Sequence, residues 1–274
     1  MTDTAASTRI SRLFERLKQE NRRGLIAYIT AGDPSLDLTV ELVKALERGG
    51  ADLIELGVPF SDPLADGPVI QRASERALAA GTNLRAVLEM ASEIRSSSEI
   101  PLLLFSYLNP LMRYGFEAVA RDASAAGIDG CLLTDLSVEE AHDYVGVMRA
   151  HNMDTVFLAA PTSTEHRLRL VAQYSSGFVY LVSRTGVTGE RDSLSGSVEP
   201  LVSAMRKITP LPLAVGFGIS KPEHMAEVGA VADAAVVGSA FVRLIERNAG
   251  NTSLPLQLES FTRELKHGFD LRGK

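Results

Sequence analysis

Short apolar runs and amphipathic segments alternate along this chain. Residues 9–20 carry Ile10, Leu13, Phe14 and Leu17 at helical spacing, which predicts a helix with one apolar face. Eight apolar runs follow, at 25–30, 51–57, 101–107, 128–134, 155–159, 178–183, 211–217 and 234–238. Several are short, β-branched and apolar at successive positions, as in strands buried on both faces of a parallel sheet. Helical patterns lie between them at 37–47, 116–126, 138–150, 165–174 and 221–228, and two more at 70–80 and 84–94. Glycines at the joins, Gly49-Gly50, Gly127 and Gly229, read as helix C′ residues in left-handed geometry. Eight strands alternating with helices at this length suit one (β/α)₈ TIM barrel, with an extra N-terminal helix and additional short helices. A doubly wound open sheet is the rival, but it needs fewer strands or a second domain, and no linker-like break is visible. The expected division is a flexible N-terminus at 1–8, a barrel domain at 9–268 and a tail at 269–274.

The longest departure from the alternation follows the second run: Glu55-Leu56-Gly57-Val58-Pro59-Phe60-Ser61-Asp62-Pro63-Leu64-Ala65-Asp66-Gly67-Pro68. Three prolines rule out a helix or a ladder there, while Val58, Phe60 and Leu64 argue against disorder. Long ordered loops after strands are usually functional. Strand alternation puts Leu53, Glu55 and Gly57 on one face and Ile54 and Leu56 on the other. If Ile54 and Leu56 face the helices, Glu55 points into the barrel. A carboxylate there must be paired or functional, and desolvation would raise its pKa and keep a fraction able to donate a proton. A strand-end ion pair with an arginine is the structural alternative. Asp66 sits in an Asp-Gly step that is also ordinary turn chemistry.

Two turns look suited to an anion. The seventh run ends in Gly216-Phe217-Gly218, then Ser220 and Glu223, spaced as a capping box. The eighth ends in Gly238-Ser239 before a helical pattern at 240–246. Glycines let backbone approach an anion, and barrels place phosphate at these two turns. A third cluster, Arg184-Thr185-Gly186-Val187-Thr188-Gly189, has the composition of a lid.

The chain has 274 residues, 45% of them hydrophobic, and a formal charge of −6. That charge argues against nucleic acid or anionic membrane as partners, not against a small anionic substrate. No apolar run approaches membrane-spanning length, and the start lacks the marks of a signal peptide. The single cysteine, Cys131, lies inside a strand pattern, consistent with a reducing, cytoplasmic setting. No lysine falls in a strand, where a Schiff base would form, and the histidines lack metal-ligand spacing. Carbon–carbon chemistry here would have to run on carboxylates.

The loop motif from Ile54 to Pro68 resembles the signature of the tryptophan synthase α chain family. The likeness continues through Thr30-Ala31-Gly32-Asp33-Pro34, Ala160-Pro161-Thr162-Ser163, Ser183 to Gly189, Gly216 to Ser220 and Gly238-Ser239-Ala240. It implies a (β/α)₈ barrel and retro-aldol cleavage of indole-3-glycerol phosphate to indole and glyceraldehyde 3-phosphate. By position, Glu55 resembles the acid/base and Asp66 the carboxylate that holds the indole N–H. Tyr28, Tyr180 and Phe217 match pocket residues, with Tyr28 where the family often has phenylalanine. Gly189, Gly218, Gly238 and Ser239 match the phosphate cradle, and Arg184 and Thr188 the lid. Asp62, Asn109 and Asp135 match the side facing a β subunit. The resemblance implies no cofactor or metal in this chain, pyridoxal phosphate in the β partner, and an α₂β₂ heterotetramer receiving the indole. An autonomous lyase, or a non-catalytic paralogue that activates a β chain, fits the same resemblance. One departure stands out: Ser137 occupies a position where the family commonly has proline.

Overall fold

The computed structural model describes residues 7–182, 195–216 and 218–271. Nine parallel strand segments run β1 Gly24–Thr30, β2 Leu53–Gly57, β3 Leu102–Ser106, β4 Gly130–Leu133, β5 Asp154–Val156, β6 Leu158–Ala159, β7 Val179–Val182, β8 Leu213–Gly216 and β9 Ala234–Val237. Their spatial order is β5-β4-β3-β2-β1-β9-β8-β7-β6. The two ends of that order, β5 and β6, are halves of one chain segment broken at Phe157. The sheet therefore closes on itself as an eight-stranded barrel, and the open doubly wound alternative falls. The break has a local cause. The Phe157 amide donates to Ser175 Oγ at 3.3 Å instead of to the ladder. The Phe157 ring packs outward against Tyr144 and Tyr174.

Strand alternation sorts the side chains as expected. Ile54 and Leu56 join the large core between barrel and helices, with Val43, Leu46 and Ala91. Leu53 points inward and packs with Ile26, Leu103, Leu132 and Phe178. The N-terminal helix Arg9–Gln19 presses Ile10, Leu13, Phe14 and Leu17 into that same interior cluster. Phe14 meets Phe178 at 5.5 Å between ring centroids. The helix thus closes the N-terminal end of the barrel. Thr8 caps it, accepting from Ser11 N at 3.1 Å, and also donates to Asp154.

Two expectations about local structure need correcting. Gly50 and Gly127 do take positive φ, 103° and 83°. Gly229 does not: it lies inside the helix Pro222–Val231, which runs two residues past it. The Ser220–Glu223 capping box is also absent. The helix starts at Pro222, whose fixed φ and missing N–H suit a first position, with Lys221 as N-cap. The Ser220 amide instead donates to His224 Nδ1 at 3.3 Å. Helices at Leu108–Tyr114, Ser195–Ile208 and Leu254–His267 complete the shell.

Candidate active site

β2 brings Glu55 to the barrel interior. Its register partners are Tyr28 on β1 and Leu103 on β3. The residue is 1% exposed, and its Oε1 has no hydrogen-bond partner among the described residues. No arginine pairs with it among the described residues, so the strand-end ion pair is not formed. Burial alone pushes its carboxyl from an ordinary value up to about 8.

Asp66 reaches the same space from the loop above. The loop is held by its own backbone, Leu64 N to Asp62 O at 2.9 Å and Asp66 N to Pro63 O at 3.0 Å. Ala65 N donates to the Tyr107 hydroxyl at 3.0 Å, and Gln71 Nε2 to Asp66 O at 2.9 Å. Pro68 is the first residue of the helix Pro68–Ala79, where its missing N–H leaves nothing unsatisfied. Of the loop's apolar side chains, Val58 is buried and Phe60 lies 5.2 Å from the Tyr107 ring, but Leu64 is 90% exposed. Asp66 itself is 7% exposed. Burial raises its carboxyl to about 6, opposed by a hydrogen bond from Tyr107.

Both acids line one cavity of about 320 Å³, together with Tyr28, Phe105, Tyr180, Gly218, Gly238 and Ser239. Its two tyrosines depend on glycines at strand ends. A Cβ on Gly57 would lie 2.3 Å from the Tyr28 hydroxyl, and one on Gly216 would lie 2.2 Å from the Tyr180 hydroxyl. The rings lie where those two side chains are missing. Tyr28 also donates to or accepts from Thr30 Oγ1 at 3.3 Å and packs edge-on against Phe105. On the same cavity wall, Gly218 turns the chain after β8 at φ 77°, a value that favours glycine. Gly238 is the N-cap of the helix Ser239–Arg247, so unpaired amides face the cavity there.

Sequence reading therefore brought together Tyr28, Glu55, Asp66, Tyr180, Gly218, Gly238 and Ser239. Arg184, Thr188, Gly189 and Phe217 lie outside the described residues. It missed Phe105, Leu158, Val182 and Arg243, which also line the cavity. The first three could have been found by carrying the inward phase of each strand to its C-terminal end. Arg243 lies one turn after Ser239 on the same helix, a spacing that puts both on one face.

Asp62, Asn109 and Asp135 are all exposed, in the segments that follow β2, β3 and β4. They share one side of the barrel mouth. Asp135 has a local duty as well, accepting from Leu108 N at 2.7 Å at the start of the helix Leu108–Tyr114, which follows β3. Ser137 adopts φ −64°, the value a proline ring would impose, so the loop keeps its course without one. Cys131 is fully buried, and burial pushes its thiol up to about 12. No cluster of potential metal ligands occurs among the described residues, and no described helix is long and apolar enough to cross a membrane.

Fold and cavity together define the class: a (β/α)₈-barrel enzyme with its site at the C-terminal ends of the strands. Comparison with known proteins gives the family. The family model described as tryptophan synthase alpha chain matches residues 14–269. The tryptophan synthase alpha chain of Solibacter usitatus is 71% identical, over 97% of this chain and 99% of that one. That of Geotalea uraniireducens is 50% identical over 95% and 97%. The crystal structure of tryptophan synthase subunit alpha from Legionella pneumophila superposes with a TM-score of 0.87 at 37% identity, over 97% of this chain and 99% of that one. The chain belongs to the tryptophan synthase alpha chain family.

Proposed function

We propose that Glu55 and Asp66 carry the lyase half-reaction of this family, cleavage of indole-3-glycerol phosphate to indole and glyceraldehyde 3-phosphate. The observation that supports this most is the separation of the two acids. Glu55 near 8 is mostly neutral at pH 7, while Asp66 near 6 is mostly ionised. Environments that push two carboxyls apart assign the acid and the anion.

Glu55 donates its proton to C3 of the indole ring. The ring becomes a cation with its charge at N1, and the Asp66 carboxylate accepts the N1–H hydrogen bond and offsets that charge. C3 is then tetrahedral and able to leave. The Glu55 carboxylate takes the proton of the hydroxyl on the adjoining side-chain carbon. That carbon becomes the aldehyde, and the electrons of the broken C–C bond return to C3 and neutralise the ring. In a dry cavity each charge interaction is stronger than in water. Tyr28, Tyr180 and Phe217 would flank the ring. Amides at Gly189, Gly218, Gly238 and Ser239 would hold the phosphate, and Arg184 and Thr188 would close over it. Every step uses side chains of this chain.

Asp62, Asn109 and Asp135 would face a β subunit, in an α₂β₂ assembly whose pyridoxal phosphate belongs to β. Residues 9–268 would form the single lyase domain, working in the cytoplasm. Glu55→Gln should lower turnover by about 10²–10⁴-fold, as loss of a general acid does, while glycerol 3-phosphate binding stays intact. Asp66→Asn should also cripple turnover. A Glu55→Gln protein that releases glyceraldehyde 3-phosphate near the parent rate sinks the mechanism. The same assay with and without β separates a partnered subunit, which accelerates on mixing, from an autonomous lyase. The pH profile of kcat/KM should be a bell, rising through about 6 as Asp66 ionises and falling through about 8 as Glu55 loses its proton.

A further inference from the structure

The acid end and the glycine-lined end of the cavity come from different barrel units. Asp66 follows β2, and Ser239 follows β9. β2 and β9 are both laddered to β1, but Asp66 and Ser239 stand beyond those ladders, so other contacts must fix their spacing. Arg76 lies on the helix Pro68–Ala79, which begins two residues after Asp66. Its guanidinium makes two bonds to Asp33, at 2.7 and 2.9 Å, and a third to Glu246 at 2.9 Å. Glu246 lies near the end of the helix Ser239–Arg247. Arg72, one turn before Arg76, grips the same Glu246 carboxylate at 2.7 and 2.9 Å. Asp33 is 1% exposed and belongs to the Thr30–Pro34 motif, for which the chemistry above has no use. Beneath these charges Ala73 of one helix and Val242 of the other pack together with the Tyr28 ring. Three βα units thus meet at one apolar contact rimmed by a chain of ion pairs.

We infer that Asp33, Arg76 and Glu246 form a positioning network that holds the acid end and the phosphate end of the cavity in register. This rests on the function proposed above. A planar guanidinium can serve two carboxylates in fixed directions at once, which a lysine ammonium cannot. The substrate must be gripped at both ends for C3 to meet Glu55. A shift of about 1 Å between the ends is enough to cost some 10²-fold in rate. A ligand that touches one end only is indifferent to that shift.

The test compares two-ended with one-ended ligands. Glu246→Gln takes away the charge and one of the two acceptor oxygens of the link between the helices, and leaves the buried Asp33–Arg76 pair in place. Arg76→Lys keeps the charge but loses the fork. In the full chain, alone and with β, one measures kcat/KM for indole-3-glycerol phosphate. Indole and glycerol 3-phosphate are titrated separately by calorimetry, with Tm as a check on folding. The network predicts that kcat/KM falls about 10–100-fold in Glu246→Gln while both one-ended affinities stay within about twofold. Arg76→Lys should follow the same pattern. One-ended ligands that weaken in step with the substrate would mark a merely structural role and overturn the inference, as would an unchanged kcat/KM. Failure of the parent chain to bind glycerol 3-phosphate, or near-normal turnover by Glu55→Gln, would instead count against the proposed function.

Discussion

Both ends of this barrel hold carboxylates out of water, and only at the C-terminal end, where Asp33 is paired with Arg76, does a neighbouring acid have an oxygen left without a partner among the described residues. At the N-terminal end, Asp52, Asp129 and Asp233 each stand directly before a strand. Each accepts the amide of the first or second residue of the preceding strand: Leu25 N at 2.7 Å, Leu102 N at 2.9 Å and Leu213 N at 2.7 Å. Each also returns its own amide to the carbonyl of that same leucine. Cations complete the set, Lys266 and Arg22 on Asp52, Arg95 and Arg9 on Asp129, and Arg206 on Asp233. At the C-terminal end, Glu55 Oε1 has no partner among the described residues. One end uses buried and half-buried charge to tie strands together. The other leaves one oxygen of a buried acid without a partner, and burial keeps that acid mostly protonated at pH 7. The division follows the general rule that barrels are stabilised at one end and catalyse at the other.

The largest effect should follow from removing a carboxylate at the N-terminal end. Asp129→Ala should destabilise the fold by about 3–5 kcal/mol, because Arg95, Arg9 and the Leu102 amide lose their partner together. The fraction that remains folded should keep the parent's bell-shaped pH profile. Denaturant unfolding with and without active-site titration reads both. A variant that folds normally but loses turnover would mean the N-terminal end is not purely structural.

A second effect, spread over several pH units, tests the contrast from the other side. The Glu55 carboxyl lies near 8 in the fold against an ordinary 4.5 in an unfolded chain. Between those values the folded state binds more protons than the unfolded state. Its contribution to stability is therefore fully present below about pH 4.5 and is lost as pH rises toward 8, by up to about 1.4 kcal/mol per pH unit. Glu55→Gln removes that slope. Its Tm relative to the parent should climb from pH 5 to pH 8, and a constant difference would show that Glu55 is not a strained acid.

The smallest effect concerns the mouth. Ser137 already holds φ −64°. Ser137→Pro should stabilise by about 0.4–1 kcal/mol through the unfolded chain, with turnover unchanged. A lower Tm would mean that the Ser137 amide is needed where it stands.

Much of this was legible in the residues, and the exceptions have physical causes. The period-2 pattern of β2 was enough to turn Glu55 inward, because a one-residue slip would have put Ile54 and Leu56 in the cavity. The Ile10, Leu13, Phe14 and Leu17 stripe announced a buried helix, but not that it plugs the barrel, since a stripe names no partner. Ser220 and Glu223 had capping-box spacing, yet Pro222 set the helix start one residue after Lys221 through its fixed φ. Gly229 looked like a terminator and is interior, because apolar positions beyond it, Val231 among them, still gain by packing on the barrel.

The order of residues was enough to say which segments could form strands, which way each side chain along a strand would point, and that two acids lie near one strand end. Those are local properties, set by alternation and by the few conformations that proline and glycine allow. Folding in three dimensions was needed to leave Glu55 Oε1 without a partner among the described residues, to bring Asp66 to the same cavity, and to set Tyr28 and Tyr180 over Gly57 and Gly216. It also decided that Arg76 joins Asp33 to Glu246 across 213 residues of chain. Burial and pairing depend on what the other strands bring, and a carboxylate's pKa is set by those neighbours rather than by its place in the chain.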